Sequence, residues 1–483
     1  MRVPSFSDLQ LPSWLRFSNA AVRHLTYGIL IGFSLSVTST SLTLYWRTRR
    51  RKRLLADNSK LFEPRAIELR SDDILSGVTG LIGNTPLVRI NSLSDALGVE
   101  ILGKAEFLNP GGSVKDRVAL RMVEDAERQG LLHPNTGSRI FEGTVGSTGI
   151  SIATIAKARG YDTTIIMPDD VAEEKVKALQ ALGADVQRVR PASIVDKKQY
   201  VNMARQAAVR FGRTDIASSI EDAQANHELP TGSPSVVVTT TSTHVQVDDS
   251  AEDPQDEELL TKPRGFFADQ FENRSNFDAH FEGTGPELWR QTNGKLDAFV
   301  SGAGTGGTIA GIGRYIKSMN EDVRVVLADP EGSGLYNKVK FGVMYDRKEA
   351  EGTKRRHQVD TVVEGIGINR MTNNIDLALP IIDDAFRITD AEAVSMSRYL
   401  VQHDGLFLGS SSACNLVACV KLVRQLGWKE GQTIATVLCD SGNRHYSKFW
   451  NTDYLQRANI PIDLSIVEDL LKRPALDGVP VAQ

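Results

Sequence analysis

Cysteine is scarce in this sequence. Among 483 residues there are three, Cys414, Cys419 and Cys439, and no two of them form a CxxC pair. That argues against a disulfide framework and a cysteine-held zinc site, and makes a reducing compartment the default. His280 and His403 have no partners at ligand spacing, so no metal is expected. An excess of one charge is also missing. A net charge of −4 gives no reason to expect a nucleic-acid partner. There is no internal repeat. What remains, 41% apolar and 24% charged residues, is ordinary globular composition. The length allows two to four domains or one large α/β unit.

Long apolar runs are lacking too, with one exception. The 22 residues from Leu25 to Trp46 carry no charge. As a helix they would reach about 33 Å, enough to cross a bilayer. Tyr27, Tyr45 and Trp46 sit near the ends, as interface aromatics do. Six basic residues follow in "RTRRRKR", which places the rest of the chain on the cytosolic side. Residues 1–24 hold Arg2, Arg16 and Arg23 against Asp8 alone. That also fits a mitochondrial transit peptide, which would place the protein inside the organelle. The reading is an N-terminal segment 1–24, a transmembrane anchor 25–46 and a basic linker 47–73.

Globular patterning starts near Ile74. "ILGKAEF" reads as a strand and "SVKDRVALRMVEDAERQG" as a helix, with Val114, Val118, Met122 and Val123 on one face. "SRIFEGT", "TTIIMP" and "ADVQRVR" read as strands around the helices "ISIATIAKARG" and "AEEKVKALQALG". The alternation resumes with "LDAFVSG", "GTIAGIGRYIKSM" and "VRVVLAD", and ends with "AVSMSRYLVQHDG" and "TIATVLCD". This predicts parallel sheet covered by helices, a doubly wound α/β region over 74–455. The pattern breaks at 226–262, where "DDSAEDPQDEE" has seven acids in eleven residues. That stretch is expected to be a disordered surface insertion. Residues 456–483 are read as a C-terminal tail.

Two glycine loops each follow a strand and open a helix: "GTVGSTG" from Gly143 and "SGAGTGGT" from Ser301. Each offers backbone amides to an anion, and the second adds the hydroxyls of Thr305 and Thr308. Lys115 stands at the start of a third helix, behind "NPGG". A rival reading takes Gly302, Gly304 and Gly307 as GxGxxG, with Asp329 about 20 residues on, the fingerprint of a nicotinamide-dependent oxidoreductase. Against it, the loop lies well past the start of the α/β region, and its hydroxyls suit a terminal phosphate monoester. One cofactor needs a lysine, a phosphate cup and a second anion pocket: pyridoxal 5′-phosphate.

In order along the chain, "IGNTPLVRI" (82–90), "NPGGSVKDR" (109–117), "GSTGIS", "GTGPELW", "GAGTGGTIAG" and "SSSA" resemble the motifs of cysteine synthases and cystathionine β-synthases. The resemblance spans roughly Leu75 to Tyr446. With the anchor and insertion, the chain looks like the fungal mitochondrial outer-membrane cysteine synthase-like proteins. The resemblance implies a two-domain fold of type II and a homodimer. It makes Lys115 the Schiff-base lysine and general base, and Gly304, Thr305, Gly306, Gly307 and Thr308 the phosphate cup. Ser411 would bond the pyridine nitrogen. Thr144, Ser147, Thr148 and Gln270 would hold the substrate carboxylate, and Gly365 to Gly367 would lie beside the cofactor. Ser147 stands where the family has asparagine, which contacts the cofactor ring oxygen and the substrate. Val145 removes a hydroxyl from the carboxylate loop. The implied reaction is β-replacement on O-acetylserine or serine by sulfide or a thiol, giving cysteine. Alternatives are cysteine desulfhydration and a membrane-anchored, cofactor-binding protein with little catalysis.

Overall fold

The computed structural model describes residues 74–211, 263–345 and 361–472, the strand Val236–Val238, and Leu42, Tyr45, Trp46 and Arg49. The chain divides into Met1–Arg65 and Ala66–Gln483. Apart from those four residues, the expected anchor 25–46 and its basic flank lie outside the described residues, as does the loop Lys354 to His357. Among the described residues, no helix is long and apolar enough to cross a membrane.

Two sheets form the larger unit. The chain starts one of them with β1 (Leu87–Arg89) and β2 (Glu100–Ala105), an antiparallel pair. It then leaves through helix α1 (Lys115–Arg128) to build a second sheet. That sheet holds β3 (Arg139–Gly143), β4 (Asp162–Pro168), β5 (Asp185–Val189), β6 (Val236–Val238) and β7 (Gly265–Phe267), in the order β5-β4-β3-β7-β6. All its pairings are parallel. The chain returns to the first sheet with β8 (Ala298–Gly302), β9 (Arg324–Pro330), β10 (Asp384–Ile388) and β11 (Thr433–Leu438), giving the order β1-β2-β11-β8-β9-β10. Connecting helices include α2 (Ser147–Ala158) after β3, α3 (Glu173–Ala181) after β4, α4 (Gly307–Met319) after β8, and α5 (Asp390–Asp404) and α6 (Ser410–Leu426) before β11.

Burial explains the long apolar runs. Ile165, Ile166 and Met167 of β4 are buried in succession, as are Val325 to Ala328 of β9. A parallel strand covered on both faces has no wet side on which to place polar residues. Cys414 and Cys419 are buried in α6, as expected of packing cysteines.

Two expectations change. Val236–Val238 lies inside the stretch expected to be disordered, yet it adds to the edge of the second sheet beside Gly265–Phe267. Three consecutive valines have strong strand preference, which local composition around them concealed. The tail after 455 also contributes to the core: Val467 and Leu470 of the helix Ser465–Lys472 pack into the apolar cluster that contains α5 and α6.

Candidate active site

The parallel topology sends the loops after β3 and β8, and the start of α1, to one cavity of about 370 Å³. Ligands gather at such strand ends in α/β folds. Lys115, Thr144, Ser147, Thr148 and Gln270 line it from one side. Gly304, Thr305, Gly306, Thr308, Gly365 and Ser411 complete it. These residues come from points nearly 300 positions apart in the chain, and the sequence reading had named them all. Gly307 is the exception. It is not in the wall: a Cβ there would sit 2.1 Å from Asn276 Oδ1, so glycine makes room for that amide.

Lys115 begins α1. The entry turn is held by Asp116, whose carboxylate accepts from the Gly111 amide at 2.5 Å and from the Ser151 hydroxyl. A side chain at Gly111 would strike that carboxylate, its Cβ lying 2.4 Å from Oδ1. Burial pushes Asp116 up to about 6, against the pull of Ser151 and Gly111. Lys115 makes no ion pair with any described residue. Burial lowers its pKa, with Cys439 and Asp440 opposing. A lysine in that state is more readily a free amine, the form that attacks a carbonyl or takes a proton.

Gly306 enters α4 with φ +93 in the left-handed region, which turns the loop into the helix. The amides of Gly304 to Thr308 find no hydrogen-bond partner among the described residues, and the helix end adds positive potential. The two hydroxyls are fixed from behind. Asn276 Nδ2 donates to Thr305 Oγ1 at 2.8 Å. His280 Nε2 lies 3.2 Å from Thr308 Oγ1, and its Nδ1 lies 2.9 Å from Thr284 Oγ1. Burial, then the nearby Lys115 and Arg117, hold His280 well below its ordinary pKa, so it is a neutral bridge. The sequence reading saw no role for His280. Its spacing of four before Thr284 was visible, but Thr308 is 28 residues away.

The three serines opening α6 separate by direction. Ser410 Oγ accepts from the Glu364 amide at 3.0 Å, and Ser412 Oγ accepts from the Cys439 amide at 2.8 Å. Ser411 faces the cavity beside Cys439. Cys439 is therefore part of the wall, not only packing. Burial pushes its thiol up to about 11, against a hydrogen bond with Ser411. Opposite, Thr148 Oγ1 donates to Gln270 Oε1 at 2.5 Å, and the Gly146 amide donates to Thr144 Oγ1 at 3.2 Å. The Ser147 hydroxyl has no side-chain partner among the described residues, and Val145 is 38% exposed at the mouth. Lys175 of α3 pairs across the mouth with Glu364, which also meets Lys448 at 3.4 Å.

The dinucleotide alternative fails on Asp329. It is fully buried and caps a turn, its Oδ2 accepting from the Tyr336 amide at 2.7 Å, and it is absent from the cavity wall. His403 is also remote, stacked on Tyr399 with ring centroids 4.2 Å apart.

The family described as pyridoxal-phosphate dependent enzyme matches residues 78–222 and 236–440. The second stretch takes in most of the acidic insertion. Cysteine synthase 2 of Schizosaccharomyces pombe is 52% identical over 417 residues, covering 85% of this chain and 94% of that protein. A Saccharomyces cerevisiae protein named "Putative mitochondrial cysteine synthase" is 44% identical, covering 85% of this chain and 90% of its own. A crystal structure of an O-ureido-L-serine-bound mutant of O-ureido-L-serine synthase superposes with a TM-score of 0.58 at 26% identity, covering 82% of this chain and 99% of that one.

Proposed function

The chain belongs to the family of pyridoxal-phosphate dependent enzymes, and from that premise we propose that it joins sulfide to the β-carbon of O-acetylserine or serine, forming L-cysteine. The observation that carries this reading is the meeting, in one cavity, of an unpaired lysine, a cup of free amides and two hydroxyls, and a second polar loop. The cysteine synthases it resembles cover most of its length.

The site fits the cofactor. Gly304 to Thr308 would hold the phosphate, Lys115 would bond the aldehyde carbon, and Ser411 would meet the ring nitrogen. When bound, pyridoxal 5′-phosphate supplies the electron sink that makes the substrate's α-proton removable. The protein does the rest. Thr144, Thr148 and Gln270 would orient the α-carboxylate, with Ser147 as a further donor. Lys115 Nζ would take the α-proton and later return it to the same carbon. With O-acetylserine and sulfide, the purified protein is expected to form cysteine and acetate. Sulfide release from cysteine with no synthesis would overturn the assignment in favour of desulfhydration.

Replacing both Thr305 and Thr308 by alanine should remove about 1–3 kcal/mol of charge-assisted hydrogen bonding. Affinity for the cofactor, read by equilibrium titration, should fall about tenfold or more. Unchanged affinity would place the phosphate elsewhere.

The same reading includes location. The protein is proposed to be mitochondrial and held in the outer membrane by residues 25–46, with the catalytic region in the cytosol as a homodimer. The uncharged run, its basic flank and the name of the yeast relative support this. The protein should stay in the pellet after alkaline carbonate extraction of mitochondria and be cut by protease added outside. A soluble, protease-protected protein would contradict it.

A further inference from the structure

The cavity wall holds a carboxylate–imidazole pair that the chemistry above does not use. After β11 the chain turns through the short helix Gly442–Arg444, which brings His445 back onto Asp440. His445 Nε2 lies 3.0 Å from Asp440 Oδ2, and both residues are buried in the wall. The pair is wedged against the reactive lysine. Asp440 bridges antiparallel to Ser113, two residues before Lys115, and its carbonyl accepts from the Gly409 amide at 3.0 Å. Room for the pair comes from Gly409. A Cβ there would sit 2.0 Å from Asp440 Oδ1 and 2.6 Å from His445 Nε2.

The protonation state follows from the partners. Burial pushes Asp440 up, but His445 and then Arg444 more than offset it, and the group is held below the usual carboxylate range. As an ionised acceptor it requires the proton on His445 Nε2. The Nδ1 lone pair is then free, and it meets no hydrogen-bond donor among the described residues. Other charged groups nearby are already engaged. Glu364, from the loop before Gly365, is held to about 2 because its ion pairs with Lys175 and Lys448 outweigh burial. Arg444 sits on the same turn as His445.

β-Replacement by a sulfur nucleophile leaves one proton without an acceptor. The nucleophile loses an S–H bond and gains an S–C bond at the β-carbon. Acetate leaves with the C–O electron pair and stays ionised at neutral pH. Lys115 at that stage carries the α-proton, which it must return to carbon. The S–H proton therefore needs a second base. We propose that His445 Nδ1 accepts this proton from the incoming thiol or hydrogen sulfide, that Asp440 fixes and stabilises the imidazolium, and that the proton passes to solvent at the mouth. This rests on the β-replacement reading.

The test compares two nucleophiles on holoenzyme preloaded with O-acetylserine: 2-mercaptoethanol, protonated at pH 7, and 5-thio-2-nitrobenzoate, already ionised there. His445→Gln should slow the step with 2-mercaptoethanol by about 100-fold or more. It should leave the step with 5-thio-2-nitrobenzoate within a few-fold, and the loss should shrink as pH rises and the thiol ionises. Asp440→Asn should show the same selectivity, and it carries the test if His445→Gln does not fold. Equal loss with both nucleophiles at every pH would overturn the proposal and leave the pair structural. The cofactor absorbance change on adding O-acetylserine alone is read in parallel. Its absence in the wild type would sink the β-replacement reading instead.

Discussion

Glu287→Gln is expected to destabilise the fold by about 3–5 kcal/mol, the cost of removing one partner from a buried ion pair. Glu287 sits beneath the first turns of α1. It accepts from Arg117 at 2.6 Å and from Lys104 at 2.6 Å, while Arg117 also meets Glu106 at 2.7 Å. All four side chains are nearly or wholly shielded from water. Without the Glu287 charge, Glu106 faces two cations alone. A typical domain has about 5–15 kcal/mol in total, so the loss is a large fraction. Denaturant unfolding at neutral pH reads it directly, and a change below about 1 kcal/mol would contradict it. The pH dependence has a definite sign. Burial pushes Glu287 up, but Arg117 and Lys104 more than offset that and hold it at about 2. A depressed carboxylate contributes its full stabilisation above its unfolded value, about 4.3. The contribution should fade as pH falls through that value towards about 2. Wild type and Glu287→Gln should therefore converge in acid.

Lys115→Ala should lower turnover by about 10²–10⁴-fold, the range for losing a positioned base. The loss of covalent attachment adds to it. Cofactor should still bind, because the phosphate cup and Ser411 are untouched, but with altered absorbance. The pH profile of the wild type should reflect a lysine whose pKa is lowered by burial against Cys439 and Asp440. A variant turning over within tenfold of wild type would remove Lys115 from the chemistry.

Much of this was legible in the chain because local pattern and local chemistry coincide at helix starts. The face shared by Val114, Val118, Met122 and Val123 gave α1 and set Lys115 at its first turn. The glycine loops were readable because a strand-to-helix turn leaves free amides wherever it occurs. What stayed hidden depends on contacts between distant segments. Nothing near His280 shows that Thr308 will stand beside it. The Thr148–Gln270 bond joins residues 122 apart. "SSSA" does not say which serine faces the cavity, since that follows from the rotation of α6. β10, "DAFRI", escaped the pattern because its exposed edge carries charge. Cys439 looked like core because it ends an apolar strand, and it meets Ser411 only after β11 is placed beside α6.

The most direct test of the central claim is borohydride reduction of the purified holoenzyme, followed by peptide mass spectrometry. The account predicts a pyridoxyl group fixed on Lys115, in the peptide containing "GGSVKD". A label on another lysine, such as Lys175 at the mouth of the same cavity, or no label at all, would contradict it.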